Sequence, residues 1–255
     1  MRNDKLSRLG ILRQAYIIGY RQIRRQFDRS KIGIFWIPLH YLLHVFLIGF
    51  VFRYVWKDDG FLVFFSYSYL SWRLLTDPIQ EGATFWRSAH PTIWYIGVKP
   101  KILVFSWFIS NFIKTGLWLI STLIFTGLFL QTLPKNILGF FLTIVLIRLV
   151  GSFLGYIFSF IAARFWEASE TITSVIQLAY LLSPVFWKAE RLGNYKWVAE
   201  INPIYYLMEL PRNFAMGNPN DPKVILIAFL LAILSSAVAY ICHKKFSKKV
   251  VMWVN

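Results

Sequence analysis

YLLSPVFWKAERLGNYKWVAEINPIYYLMELPRN, residues 180–213, decides how this chain is organised. An apolar run stops at Ser183-Pro184 and gives way to Lys188, Glu190 and Arg191. A second amphipathic segment follows around residues 201–210, bracketed by Pro203 and Pro211. A span that simply ended at Pro184 would need no such segment. Short helices that dip back toward a membrane edge would, because they must satisfy their own backbone groups there.

Working outward, 57% of the 255 residues are hydrophobic and only 16% are charged. A soluble domain would carry about 25% charge, and mean hydropathy is positive at +0.52. The composition therefore describes an all-α integral membrane protein, long enough for about six spans of roughly 20 residues. The net charge of +16 is concentrated at the ends. Nine basic residues precede residue 32, and Lys244, Lys245, Lys248 and Lys249 follow the last apolar run. Basic flanks place both termini in the cytoplasm and make an anionic membrane surface, not nucleic acid, the partner for this charge. The lone Cys242 excludes an internal disulfide and a cysteine metal site.

Residues 4–28 repeat Leu6, Leu9, Leu12, Tyr16, Tyr20, Ile23 and Phe27 at helical spacing. Arg21, Arg24 and Arg25 fall between them, as expected of an interface helix on the cytoplasmic face. Six spans are expected at about 32–55, 61–76, 102–130, 137–163, 172–187 and 224–241. The single domain 1–255 thus divides into the interface helix (1–30), five spans (31–187), re-entrant periplasmic helices (188–221), the sixth span (222–243) and a basic tail (244–255). The polar stretch 77–101 reads as one or two short interfacial helices with a turn at His90-Pro91. Ser169 is the expected N-cap of the fifth span.

Few side chains suggest chemistry. His40 and His44 share a helix face at a spacing that can hold a metal, but no carboxylate accompanies them, so polar packing or pore lining is expected and no metal. Lys114 and Arg148 lie inside the third and fourth spans with no acidic residue evident at their depth. Snorkelling toward an interface is expected for Lys114, and the small residues Gly151, Gly155 and Ser159 beyond Arg148 suit close helix packing. Phe35, Trp36, His40, Tyr41, Tyr67, Tyr69, Tyr180 and Phe186 are candidates to line a conduit. Aromatic rings offer sugars an apolar face and a polar tip without fixed charge. No nucleotide-binding G-x-x-x-x-G-K-[ST] motif and no catalytic triad occurs, so no catalytic residue is assigned. An enzyme acting on polyprenyl-linked sugars would have Asp77 and Glu81 as its only close acidic pair near an interface. A secondary transporter would show inverted repeats or mid-span carboxylates.

Three motifs carry a family resemblance. RQFDRSKIGIFWIP, residues 25–38, resembles the start of the first span in permeases of polysaccharide-exporting ABC transporters, roughly R-Y-x-x-S-x-L-G-x-x-W. Leu182-Ser183-Pro184-Val185 resembles the S-P-V/I end of their fifth span. Asn202-Pro203 with Glu209 and Arg212 resembles their N-P-L…E…R helix. Two features depart from that pattern: Pro38 comes early, and Arg164-Phe-Trp-Glu167 replaces a common Arg-Asp. The likeness is nearest to O-antigen exporters, then to teichoic-acid and capsule exporters. It implies a homodimer in the bacterial inner membrane, bound to two separate ATP-binding-cassette subunits that hold ATP and magnesium. This chain would have no cofactor of its own. The resemblance further implies a lipid-linked O-polysaccharide as cargo, and coupling to the ATPase through residues 82–97, with Phe85, Trp86, His90, Trp94 and Tyr95 as contacts. Ser183, Pro184, Asn202, Pro203, Glu209 and Arg212 would form an outer gate.

Overall fold

The structure is a computed structural model that describes residues 8–27 and 30–253; the side chains of residues 8, 9, 90–96 and 251 lie outside the described set. Among the described residues every regular element is helical: α1 Arg8–Arg25, α2 Trp36–Trp56, α3 Phe61–Ile96, α4 Pro100–Ile124, α5 Ile137–Arg164, α6 Ala168–Leu182, α7 Trp197–Ile201, α8 Pro203–Met216, α9 Pro222–Phe246 and α10 Val250–Trp253. Among the described residues, four stretches are long and apolar enough to cross a membrane: Gly33–Trp56, Pro100–Phe129, Ile137–Arg164 and Pro222–Phe246. The other two expected spans fall in α3 and α6.

Helix α3 corrects the sequence reading most. The expected second span and the interfacial helices after it are one helix of 36 residues, about 54 Å long and so longer than the roughly 30 Å hydrocarbon core. No turn forms at His90-Pro91; both Pro78 and Pro91 lie inside the helix. A proline in a helix lacks the N–H that would reach the carbonyl four residues back. At Pro78 the carbonyl so released is that of Leu74, and Arg148 Nη1 donates to it at 3.3 Å. A neighbouring helix thus satisfies the backbone group that the proline frees.

That neighbour, α5, lies against α3 at backbone distance. A Cβ placed on Gly82 would sit 2.1 Å from the Gly155 carbonyl oxygen, one on Gly155 2.2 Å from that of Pro78, and one on Gly151 2.6 Å from that of Leu75. The small-residue face read in α5 is therefore a contact surface. Trp86 seals its end by donating Nε1–H to Ser159 Oγ at 3.0 Å.

Helix α1 lies along α4 through Ala15, Gly19 and Ile23, while Leu12, Tyr16 and Tyr20 stay exposed on the adjoining row. Arg21, Arg24 and Arg25 are exposed as expected. Helix α6 begins before Ile172 and stops at Leu182, not Trp187. Ser183 precedes a proline and is extended, at φ −95° and ψ 148°. Fifteen residues give α6 a length of only about 22 Å. Glu167, not Ser169, holds the N-cap position. Helix α9 is capped by Asp221, whose carboxylate accepts from Lys223 N, and its last turn carries His243, Lys244 and Lys245, where cations complement the helix dipole.

The glycine contacts give a signed prediction. Gly82→Ala forces α3 and α5 apart and should destabilise by about 1–3 kcal/mol, the usual range for overpacking. Gly116→Ala in α4 meets nothing within 4 Å and should stabilise by about 0.5–1 kcal/mol, the helical gain of alanine over glycine. Thermal unfolding of the two purified variants in detergent checks both signs.

Candidate functional site

A cavity of about 380 Å³ lies between the end of α1, the first turns of α2, the middle of α3 and α4. Its rim is exposed and consists of Gln26, Trp36 and His40, with Phe27 half-buried beside them. Tyr41, Tyr69, Asp77, Lys114 and Trp118 form its buried floor, with Arg73 and Glu81 between.

The charged residues of this floor form a connected set. Arg73 Nη2 donates to Asp77 Oδ1 at 3.0 Å, one helical turn away on α3. Asp77 Oδ2 is 3.8 Å from Arg148 Nη2. Lys114 donates to Glu81. Arg148 is wholly buried and also donates to the Asn111 backbone carbonyl at 2.7 Å. Two guanidinium groups approach the Trp118 ring, Arg73 at 4.9 Å and Arg148 at 5.6 Å from its centroid. Such contacts between cations and ring faces gain strength when desolvated.

This arrangement overturns the expectation that Lys114 snorkels and that neither basic residue has an acidic partner at its depth. The partners come from the stretch taken for an interfacial loop. A signal for them was present: Arg73, Asp77 and Glu81 are spaced four apart and share a face once the helix is continuous. Ending the second span at residue 76, just before Asp77, concealed it.

The aromatic candidates divide. Trp36, His40, Tyr41 and Tyr69 line the cavity. The Tyr41 hydroxyl is tied down, donating to the Ser66 carbonyl at 3.1 Å with Thr122 Oγ1 at 2.8 Å. Tyr180 lines a smaller hollow of about 190 Å³ that shares Tyr69 and Arg73 with the first. His44 stacks on Tyr69 at 4.2 Å, and its Nε2 is 3.1 Å from the Tyr180 hydroxyl. Phe186 packs on Phe52 toward the far end of the bundle, Phe35 is exposed outside the cavity, and Tyr67 is buried against Phe140 and Thr126. Among the described residues no three His, Cys, Asp or Glu side chains converge on a metal site.

At the basic end, Phe85 and Trp86 are buried in the protein's own core with Trp107 and Phe160, so they do not offer a partner free anchors. His90, Trp94 and Tyr95 have side chains outside the described residues. The sequence reading missed Arg87. Its Nη2 reaches the carbonyls of Ala162 (3.2 Å) and Trp166 (3.1 Å) and Ser169 Oγ (3.1 Å), and its guanidinium covers the Trp166 ring at 4.4 Å. Arg87 thereby ties the end of α3 to the turn between α5 and α6, and Ser169 serves this link instead of a cap.

At the far end the motif residues meet. Asn202 Nδ2 donates to Ser183 Oγ at 3.0 Å while its Oδ1 caps α8 by accepting from Ile204 N. Pro203 opens that helix, where its missing N–H has no intrahelical partner to lose. Arg212, buried and over the Phe64 ring at 4.4 Å, pairs with Glu209 and donates to Ser68 Oγ and the Pro184 carbonyl, each at 3.3 Å. A second clamp joins residues 186–191 to the α2–α3 turn: Lys188 Nζ is 2.6 Å and Arg191 3.2 Å from Asp58 Oδ2, and Trp56 Nε1–H donates to the Phe186 carbonyl at 3.0 Å. Burial pushes the Asp58 carboxyl up, but Lys188, the Gly60 N–H and Arg191 outweigh it and hold the group below the ordinary carboxylate value.

This helical membrane bundle, with ion pairs in its core, matches the ABC-2 type transporter family over residues 13–214. The chain belongs to that family, as a membrane-spanning permease subunit of the kind that associates with ATP-binding-cassette subunits. No individual curated protein matches it.

Two outcomes follow from the far-end contacts. Arg212→Met strands a buried carboxylate and should cost about 3–5 kcal/mol, whereas adding Glu209→Met should restore most of it, because removing both charges of a buried pair is far less costly than removing one. Melting temperatures of the single and double variants test this. For Asp58, whose folded pKa is depressed, the stabilisation is present above the ordinary value of about 3.9 and is lost as pH falls through the lower folded value. Asp58→Asn should therefore speed hydrogen exchange across residues 186–196 at neutral pH, and the difference from wild type should vanish in strong acid.

Proposed function

We propose that this chain is the channel-forming permease of an ATP-driven exporter that carries lipid-linked O-polysaccharide from cytoplasm to periplasm. One observation carries the reading: the segments that resemble polysaccharide-exporter permeases, Ser183-Pro184, Asn202-Pro203 and Glu209 with Arg212, form a single bonded network. The motif at the end of α6 is thereby bonded to the motif of α8, as an outer gate in this reading would be.

In this reading α3 and α6 complete six passes in the bacterial inner membrane, and both termini are cytoplasmic. Helices α7 and α8 dip back from the periplasmic side. The C-terminal turn of α8 accepts hydrogen bonds from Lys135 N and Asn136 N in the α4–α5 turn, whereas Pro203 at its other end lines a groove with Leu75 and Val150 from the middle of α3 and α5. Two copies of the chain enclose the path, because a polymer longer than the membrane is thick needs a continuous channel. Two separate ATPase subunits bind ATP and magnesium and act on the basic end. Movement there reaches α6 through Arg87, so the residue that couples is a half-buried tie and not an exposed ring.

The test is made in cells. Deleting the chain should abolish surface polysaccharide and leave lipid-linked polymer on the cytoplasmic side, with export restored by wild type. Surface polysaccharide that persists in the deletion strain would overturn the reading.

A further inference from the structure

The cavity is lined by the cations Arg73 and Lys114 and the carboxylates Asp77 and Glu81. Arg148, wholly buried behind the floor with Nη2 3.8 Å from Asp77, adds a third cation, so among the described residues the cluster carries one positive charge in excess where low dielectric makes it felt. The cations also keep donors in reserve. Arg73 spends Nη2 on Asp77 although a guanidinium carries five N–H groups, and Lys114 donates to Glu81 with two more hydrogens on its ammonium. These carboxylates hold the cations in place without neutralising the set.

The walls add a second preference. Trp36 stands on the exposed rim of the same cavity, and an accessible aromatic ring is the kind of surface on which the apolar face of a sugar packs. The volume of about 380 Å³ falls within the roughly 300–1,000 Å³ of small-molecule sites. Its rim lies where the basic helix α1 ends and α2 begins, which is the level of lipid headgroups in the topology proposed above.

We infer that this cavity binds a glycosyl phosphate, with the phosphoryl group between Arg73 and Lys114 and the sugar ring against Trp36. The inference rests on the proposed export of lipid-linked polysaccharide and adds where one protomer first recognises that cargo. A bare anion would leave the aromatic rim unused, and an uncharged sugar would leave the excess charge uncompensated.

The experiment uses the full-length chain in lipid nanodiscs with Cys242→Ser, which removes the only cysteine, and His40→Cys on the rim. Labelling by a water-soluble maleimide is timed with four probes: citronellyl pyrophosphoryl-N-acetylglucosamine, UDP-N-acetylglucosamine, inorganic pyrophosphate and free N-acetylglucosamine. The lipid-linked probe should slow labelling about tenfold at ten times its dissociation constant, since protection follows 1 + [L]/Kd. Tyr195→Cys, exposed at the far end, should label at an unchanged rate.

Arg73→Gln and Trp36→Ala should each abolish protection. Arg73→Lys keeps the charge but loses the planar fork, so it carries the same test if Arg73→Gln does not fold; Trp36 lies on the exposed rim, where truncation leaves the core untouched. Equal protection by UDP-N-acetylglucosamine would support the chemistry and assign it a soluble ligand. Equal protection by pyrophosphate or free sugar, protection that survives all these variants, or no protection at all would overturn the inference. Surface polysaccharide supported by wild type, with no protection of the cavity, defeats this site alone. Absence of export defeats the proposed function and leaves the binding result standing.

Discussion

Backbone contact between α3 and α5 is the constraint on which the rest of this protein depends. Gly82, Gly151 and Gly155 let the two helices touch without side chains between them. At that distance Arg148 reaches both the Leu74 carbonyl and Asp77. A guanidinium wholly out of water is tolerated only when its charge is paired and its N–H groups have acceptors. Close approach, a proline-freed carbonyl, the Asn111 carbonyl and a carboxylate on the next turn meet most of that requirement, although Arg148 Nε has no hydrogen-bond partner among the described residues. Larger residues at the three glycines would separate the helices and leave Arg148 without its partners.

The same pairing shapes the cavity beside it. Because Asp77 is shared between Arg73 and Arg148, and Glu81 engages Lys114, the charges stand in fixed positions along one side of α3. The aromatic rings around them divide by exposure: Trp36 lies at the rim, while Tyr41 and Tyr69 are buried in the wall. Tyr67, on the same helix as Tyr69, faces the opposite way and belongs to the core. Two residues of spacing on a helix turn a side chain about 200° around the axis, so neighbouring tyrosines have different duties.

Both ends of α3 are tied to segments that follow α5. Arg87 holds the α5–α6 turn at the basic end, and at the far end Ser68 and Phe64 receive Arg212 while Asp58, just before α3, receives Lys188 and Arg191. Helix α3, continuous over 36 residues, is therefore held by side-chain bonds near both of its ends.

Much of the fold was legible in the sequence. Apolar composition required a helical membrane bundle, because helices satisfy their own backbone in lipid. The basic repeat in residues 4–28 located α1, the small residues from Gly151 to Ser159 marked a contact face, and Ser183-Pro184 and Asn202-Pro203 marked a network that the structure assembles. Local pattern failed where distant groups decide. The second span looks finished at residue 76 until Arg148 donates to the Leu74 carbonyl that Pro78 frees and α3 runs on. Phe85 and Trp86 look like anchors for a partner until Trp107 and Phe160 bury them. Lys114 and Arg148 look unpaired until α3 runs on far enough to bring Asp77 and Glu81 beside them. Sequence determines which segments are apolar and which residues cap or break a helix, since those effects act within a few residues. Only tertiary structure decides which buried charges find partners, because that depends on how closely two helices distant in sequence can approach.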